Sequence, residues 1–273
     1  MSLSSVLFLF LAHLGVGIVC TLLVVSREAG VKFFRFNAGL AAILLVIALA
    51  FRYAALPLVP ASRLDSAGAG LLYIATAAVV AYWATVGRMW ARIRPVITAV
   101  AVGGGVGAIV LEALAVSAGR PAATQGLTIA SFLSSAGLLG GTCTAMILGH
   151  WYLVIPSMQV SHLQKIVKVH MASMVVRVAV VAAAVFVALF VSAPAPWLGP
   201  SFRRYITSVD GIFFWQRALF GLAGPALLSY LTWETAKIRS TQSATGILYV
   251  DFFTVVVGEV LAKYILLATR VPV

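Results

Sequence analysis

A stretch near the end of the chain, GILYVDFFTVVVGEVLAKYILLATR at residues 246–270, constrains the fold more than any other. It is apolar and long enough to cross a bilayer, which takes about 20 helical residues. Nevertheless it carries Asp251, Glu259 and Lys263. A charged side chain at the centre of a membrane helix costs about 2.5–3.5 kcal/mol on insertion scales, so such residues usually face partners or water. The stretch therefore predicts a membrane helix with a polar, functional face.

Composition extends this interpretation to the whole chain. The 273 residues are 62% hydrophobic and only 10% charged, which is far from the composition of a soluble domain. In a membrane protein the net charge of +12 is first a topology signal, so we exclude nucleic-acid binding. Cys20 and Cys143 lie in apolar runs without metal-ligand spacing, and no metal site is expected.

Apolar runs separated by short charged or Pro/Gly breaks predict an all-α bundle of eight transmembrane helices in one domain, residues 1–273. The predicted spans are 5–25, 37–59, 67–89, 96–118, 127–154, 171–193, 211–235 and 245–269. The first span is interpreted as a retained helix, because it has no basic n-region and no cleavage site. The longest loop, residues 194–211, is expected to form at most a short interfacial segment.

The distribution of Lys and Arg predicts the orientation, because cytoplasmic loops carry an excess of basic residues. Ten basic residues follow the odd-numbered helices, and five lie on the other side. The protein is therefore expected in the bacterial inner (cytoplasmic) membrane, with both termini on the non-cytoplasmic side. The ten are Arg27, Lys32, Arg35, Arg88, Arg92, Arg94, Lys165, Lys168, Lys237 and Arg239; the five are Arg63, Arg120, Arg203, Arg204 and Arg270.

Small residues indicate where helices pack closely. In the fifth helix they recur every four positions, which predicts a close helix contact along that row. The row consists of Gly137, Gly141, Ala145 and Gly149. In the seventh helix, glycines just before Pro225 predict a kink.

Six ionisable residues from five helices reach similar depths in the non-cytoplasmic half, at 1.5 Å of rise per residue. They are His13, Arg52, Glu112, Arg217, Glu259 and Lys263. Glu259 and Lys263 are spaced i,i+4 and are expected to pair. A buried cluster with one spare cation and a histidine suits the oxygens of a quinone, with His13 or Glu259 exchanging protons. The alternative is a set of structural ion pairs and snorkelling helix ends.

A second polar group is predicted toward the cytoplasm. Arg177 and Asp251 have similar predicted depths, which suggests an intramembrane pair. His150 and His170 lie near the facing ends of adjacent helices and are candidate ligands of a b-type haem. Alternatively, His150 beside two aromatic residues is an interfacial anchor.

Two segments, VLFLFLAHLGVGI at residues 6–18 and GEVLAKYILLAT at residues 258–269, resemble the eight-helix membrane-anchor subunits of the dimethyl sulfoxide and polysulfide reductase type. The resemblance implies a subunit without redox metal that oxidises or reduces a quinone and passes electrons to an iron–sulfur partner. Glu259 and Lys263 are the positions that match the family pattern. His13 is placed suitably by depth.

Three functions are compatible with these patterns. The leading hypothesis is a membrane subunit of a quinone-linked electron-transfer complex, with menaquinone or ubiquinone as cofactor, iron–sulfur or cytochrome subunits as partners, and contact with membrane lipid. The second is a proton- or ion-coupled secondary transporter, with Asp251 and Glu259 as a relay. The third is a haem b subunit that uses His150 or His170.

Overall fold

The computed structural model describes residues 2–54, 62–89, 91–154, 159–191 and 202–273. Within these ranges every regular element is helical. Eight helical stretches there are long and apolar enough to cross a membrane. The predicted all-α, polytopic membrane architecture is therefore confirmed.

The helices are numbered in chain order. They are α1 Leu3–Leu22, α2 Gly30–Ala54, α3 Arg63–Thr85, α4 Arg94–Val116, α5 Ala122–Val154, α6 Val160–Phe186, α7 Phe202–Thr207, α8 Ile212–Ala218, α9 Gly224–Lys237 and α10 Thr241–Thr269. A π-helical turn, Val187–Val191, continues α6, and another, Leu219–Ala223, joins α8 to α9. The seventh span, Val209–Lys237, is thus one interrupted helix, and the short α7 precedes it.

Six of the eight predicted spans begin within five residues of the observed helices. The exceptions are α2, which begins at Gly30 rather than 37, and α6, which begins at Val160 rather than 171. The predicted span ends at 59 and 193 lie outside the described residues. The additional N-terminal turns of α2 and α6 contain basic residues that were expected to lie in loops. These residues extend along helical surfaces, as when the Lys168 ammonium lies 4.9 Å from the centre of the Trp233 ring.

Helices α1 and α5 form the centre of the bundle. In each of these two helices, 72% of the most apolar stretch is buried inside the bundle, compared with 22–39% in the other six spans. Helix α1 packs on α2, α4, α5 and α10, whereas α5 packs on α1, α4, α6 and α10. The pair α3 and α4 closes one side, and α6, α9 and α10 close the other. Polar side chains in the middle of α1 and α5, such as His13 and Ser135, are therefore held away from lipid and water.

The contact between α1 and α5 is a contact of backbones. A methyl group at Gly17 would lie 2.0 Å from the Ala136 carbonyl oxygen, and one at Gly140 would lie 2.0 Å from the Gly17 carbonyl carbon. Gly137, which belongs to the predicted row, faces open space instead. Gly149 does face another helix, since a methyl group there would lie 3.0 Å from the Thr245 hydroxyl. The predicted row is therefore wrong at Gly137, and the closest approach is at Gly140.

Candidate functional site

Glu259 on α10 is the centre of a buried charge cluster. Its Oε1 accepts hydrogen bonds from Arg177 Nε at 2.9 Å and from Arg217 Nη2 at 2.7 Å. Its Oε2 accepts one from Arg177 Nη2 at 3.1 Å and lies 3.5 Å from Lys263 Nζ. None of these four residues is more than 2% exposed. We call Arg177, Arg217, Glu259 and Lys263 the Glu259 cluster; it contains the pair of Glu259 with Lys263 expected from the sequence.

Ser135 on α5 connects the Glu259 cluster to His13 on α1. The serine hydroxyl donates to Glu259 Oε2 at 2.5 Å and accepts from Lys263 Nζ at 2.6 Å. Its oxygen also lies 3.2 Å from His13 Nδ1. Because the single hydroxyl proton goes to the carboxylate, His13 Nδ1 must be the donor in that contact. In neutral His13 the Nε2 atom therefore carries a lone pair.

That Nε2 atom is buried and has no hydrogen-bond partner among the described residues. His13 lines a cavity of about 10 Å³, which is room for roughly one water molecule. The walls are mostly apolar, with Phe8 and Leu9 from α1 and Ile109 from α4, and Glu112 also lines the space. A histidine with an unpartnered acceptor nitrogen thus lines a small cavity between α1, α2, α3 and α4.

Arg52 and Glu112 form a separate cluster on the far side of this cavity. Arg52 Nη1 donates to Glu112 Oε2 at 3.0 Å, and Nη2 donates to Asp65 Oδ1 at 2.5 Å. The Arg52 guanidinium also lies 5.1 Å from the centre of the Phe8 ring. Asp65 was not among the predicted site residues, because this residue precedes the predicted third span. Of the six residues expected to converge, four lie in or next to the Glu259 cluster, and Arg52 and Glu112 do not join them.

Arg217 reaches Glu259 because the seventh span is interrupted. Pro225 has no backbone N–H, so the carbonyl of Gly221, four residues earlier, lacks the usual α-helical donor. Arg217 Nη1 donates to that carbonyl at 2.6 Å while Nη2 binds Glu259. Gly221 also lies against α10, where a methyl group would be 2.5 Å from the Cα atom of Gly258. The predicted kink is thus a π-helical turn that positions a cation.

Arg177 pairs with Glu259 and not, as the sequence suggested, with Asp251. The predicted start of the sixth helix is eleven residues too late, which shifts the depths predicted along this helix by about 16 Å at 1.5 Å per residue. In the structure, Arg177 Nη1 also donates to the Ser131 hydroxyl at 2.8 Å, and Nη2 donates to the backbone oxygen of Val273 at 3.1 Å. Arg177 thereby ties α6 to α5, α10 and the segment after α10.

Asp251 instead pairs with His170, and both residues are fully buried. The distance from His170 Nε2 to Asp251 Oδ2 is 2.6 Å, and His170 Nδ1 lies 3.1 Å from the Thr142 hydroxyl. Thr142 donates its only proton to the Leu138 carbonyl at 2.8 Å, so Nδ1 must carry a hydrogen. A contact between Nε2 and Oδ2 then needs one further proton between them. We therefore assign one shared proton to the His170–Asp251 pair.

This assignment predicts different effects for two substitutions. In Asp251→Asn the amide N–H replaces the shared proton as a donor to Nε2, so the loss of unfolding free energy should be only about 1 kcal/mol. His170→Phe leaves a buried carboxylate without its partner and should cost about 3–5 kcal/mol. Thermal unfolding in detergent measures both effects. Equal losses for the two variants would contradict a shared proton.

The two histidines proposed as haem ligands have other partners. His150 Nδ1 lies 3.0 Å from the hydroxyl of the exposed Tyr249. Both ring nitrogens of His170 contact protein groups, as described above. Haem ligation by either histidine stays an untested prediction.

A polar face on α5 is the sequence signal for much of this site. Thr128, Ser131, Ser135 and Thr142 fall within about 60° of one another at 100° per residue. They do bond across helices where a charged partner is present, as Ser131 does with Arg177, Ser135 with Glu259 and Thr142 with His170. The sequence alone did not predict a function for these serines, because hydroxyl groups in membrane helices commonly contribute only to helix packing.

No protein-family model, curated protein or solved structure matches this chain.

Proposed function

We propose that the protein is an integral membrane subunit that exchanges protons and electrons with membrane quinone. One observation carries the proposal: His13 lines an apolar-walled cavity, its Nε2 atom has no hydrogen-bond partner among the described residues, and its Nδ1 atom is linked through Ser135 to Glu259 and Lys263. Quinone rings bind between apolar walls, and a few hydrogen-bonding groups fix their oxygens, as in small-molecule sites generally. The resemblance at Glu259 and Lys263 supports the same assignment.

The chemistry of quinol oxidation fits the groups around this cavity. Each quinol releases two protons and two electrons. His13 Nε2 accepts one proton, Glu112 accepts the other, and the electrons pass to an iron–sulfur or cytochrome partner subunit. The Ser135 hydroxyl fixes the His13 tautomer whose lone pair faces the ring, which is the usual role of an orienting group beside a catalytic histidine.

Charge in the Glu259 cluster supports the same step. Three cationic side chains, Arg177, Arg217 and Lys263, face one carboxylate side chain. This positive excess would stabilise negative charge on an oxygen of a quinone bound nearby. The cavity holds only about one water molecule, so ring binding requires the Phe8 and Leu9 side chains to move.

Quinone binding to His13→Leu tests the proposal. The purified protein in nanodiscs is titrated with short-chain ubiquinone and menaquinone analogues, and binding is followed by calorimetry. Loss of a buried hydrogen bond worth about 1–3 kcal/mol should weaken binding roughly 5- to 150-fold. His150→Leu is the control, because His150 lies at the opposite end of the bundle and should leave affinity unchanged. Failure of the wild-type protein to bind either quinone, or equal affinity in His13→Leu, would reject the site.

A proton-coupled carrier is the second candidate. It is favoured by the interrupted seventh span and by the His170–Asp251 pair, which joins α6 to α10 and whose Asp251 lies about two turns from Glu259. A carrier works without redox partners. Solute-dependent proton movement into proteoliposomes that contain this chain alone, abolished by Asp251→Asn, would favour the carrier over the quinone subunit.

A further inference from the structure

A large groove lies at the end of the bundle opposite the His13 cavity. It has a volume of about 910 Å³, within the range of ligand-binding sites, and is formed by α1, α2, α3, α4 and the segments that connect them. Its lining includes Val19 near the end of α1, Ala38 on α2, Val79 on α3 and Gly103 on α4. The proposed quinone site uses none of these residues.

Two arginines mark one end of this groove. Arg27 follows α1, and Arg94 begins α4. The Arg27 side chain makes no hydrogen bond or ion pair with the described residues. Arg94 donates through Nη2 to the Met89 carbonyl at 3.3 Å, whereas its Nε is buried and has no partner in the described part of the chain. The acidic neighbour Glu28 is engaged elsewhere, since His162 Nε2 lies 2.7 Å from its Oε2. The groove therefore offers two cationic groups to an anion.

The rest of the groove becomes apolar along α4. Thr98 lies one turn beyond Arg94, and Ala101, Val102 and Gly103 follow. Gly103 is nine residues, or about 13 Å, from Arg94. A methyl group built at Gly103 would meet no atom within 4 Å, so the space beside this residue at the far end of the groove is open. A free phosphate would use only the arginine end, whereas an amphiphile would fill both.

We propose that this groove binds an anionic phospholipid, with its phosphate at Arg27 and Arg94 and an acyl chain extending toward Gly103. The loops at this end carry the larger number of basic residues and are expected in the cytoplasm, where the membrane leaflet is anionic. Basic pockets between membrane helices on that side are recognised lipid headgroup sites. The gradient from charged to apolar lining matches the gradient along a phospholipid.

Lipid titration followed by native mass spectrometry tests the site. The delipidated protein is titrated with dioleoylphosphatidylglycerol and, separately, with dioleoylphosphatidylcholine. The anionic lipid should bind more tightly. Arg27→Ala/Arg94→Ala should weaken its binding roughly 25-fold, because each basic residue near the headgroup contributes about fivefold. Arg88→Ala/Arg92→Ala, which removes two exposed arginines from the adjacent segment, should leave it within about twofold.

The apolar end has its own variant and control. Gly103→Phe should fill the groove and displace the lipid, whereas Gly70→Phe, at an exposed and equally open position on α3, should not. Equal affinity for the two lipids, or equal losses in the two arginine double variants, would overturn the proposal. The proposal would also be overturned if excess inorganic phosphate displaced the lipid while Gly103→Phe left lipid binding unchanged, because that result identifies a site for a soluble anion. Displacement by a short-chain quinone would identify a different occupant and would also overturn it.

Discussion

Glu259→Ala should lower the free energy of unfolding by about 3–5 kcal/mol, the cost of removing one partner from a buried ion pair. Without this carboxylate, Arg177, Arg217 and Lys263 remain buried with no acidic side chain to offset them. The measurement is thermal unfolding of the detergent-solubilised protein, monitored by size exclusion. Stability should be partly recovered in Glu259→Ala/Arg217→Met, because the second substitution removes one uncompensated cation.

The matched control for this prediction is Glu234→Ala. Glu234 also binds a lysine, with Lys237 Nζ 2.6 Å from its Oε1, but both side chains are more than 40% exposed. Solvated pairs of this kind contribute about 0–1 kcal/mol. Similar losses in Glu259→Ala and Glu234→Ala would show that the Glu259 cluster does not stabilise the bundle.

Among the described glycines, Gly140 should be the position where substitution by alanine is most damaging. The added methyl group would lie 2.0 Å from the Gly17 carbonyl carbon, and backbone lies on both sides of the contact. No side chain can rotate away, so α1 and α5 must separate, at a cost at or above the top of the usual overpacking range of about 1–3 kcal/mol. Loss of monodisperse protein on size exclusion measures this effect.

Gly137→Ala provides the comparison within the same helix. Gly137 lies three residues earlier in α5, and a methyl group there meets no atom within 4 Å. Alanine is the better helix former by up to about 1 kcal/mol, so this variant should be as stable as the wild type or slightly more so. If Gly140→Ala behaved like Gly137→Ala, the backbone contact between α1 and α5 would be wrong.

Separation of α1 from α5 has a functional consequence as well. His13 is on α1 and Ser135 is on α5, and their 3.2 Å contact depends on the approach at Gly17 and Gly140. Subtler changes at this crossing should therefore affect quinone binding before they affect expression. The lipid groove, which is formed by α1 to α4, lies outside the α1–α5 contact and allows the two proposed sites to be tested independently.

The amino-acid sequence by itself determined the membrane class, the eight spans and which residues are too polar for lipid. These follow from apolar run length and from the cost of a charge in hydrocarbon, which act locally along the chain. The pairing of Glu259 with Lys263 was also predictable, because residues four positions apart lie on the same face of a helix. Such features need no knowledge of neighbouring helices.

Tertiary structure decided the partners across helices. Arg177 binds Glu259 and His170 binds Asp251 because α6 begins at Val160, and lysines that look like loop residues lie along its surface. Arg217 reaches the cluster because its guanidinium also binds the Gly221 carbonyl, which lacks an α-helical donor beside Pro225, and because two glycines let the π-helical turn touch α10. Which residues meet depends on the rotation and depth of each helix, and a shift of one turn changes the partners. Packing sets both quantities, whereas hydropathy fixes helix ends only to within several residues. The sequence therefore indicated which residues are buried, and only the fold decided which of them meet.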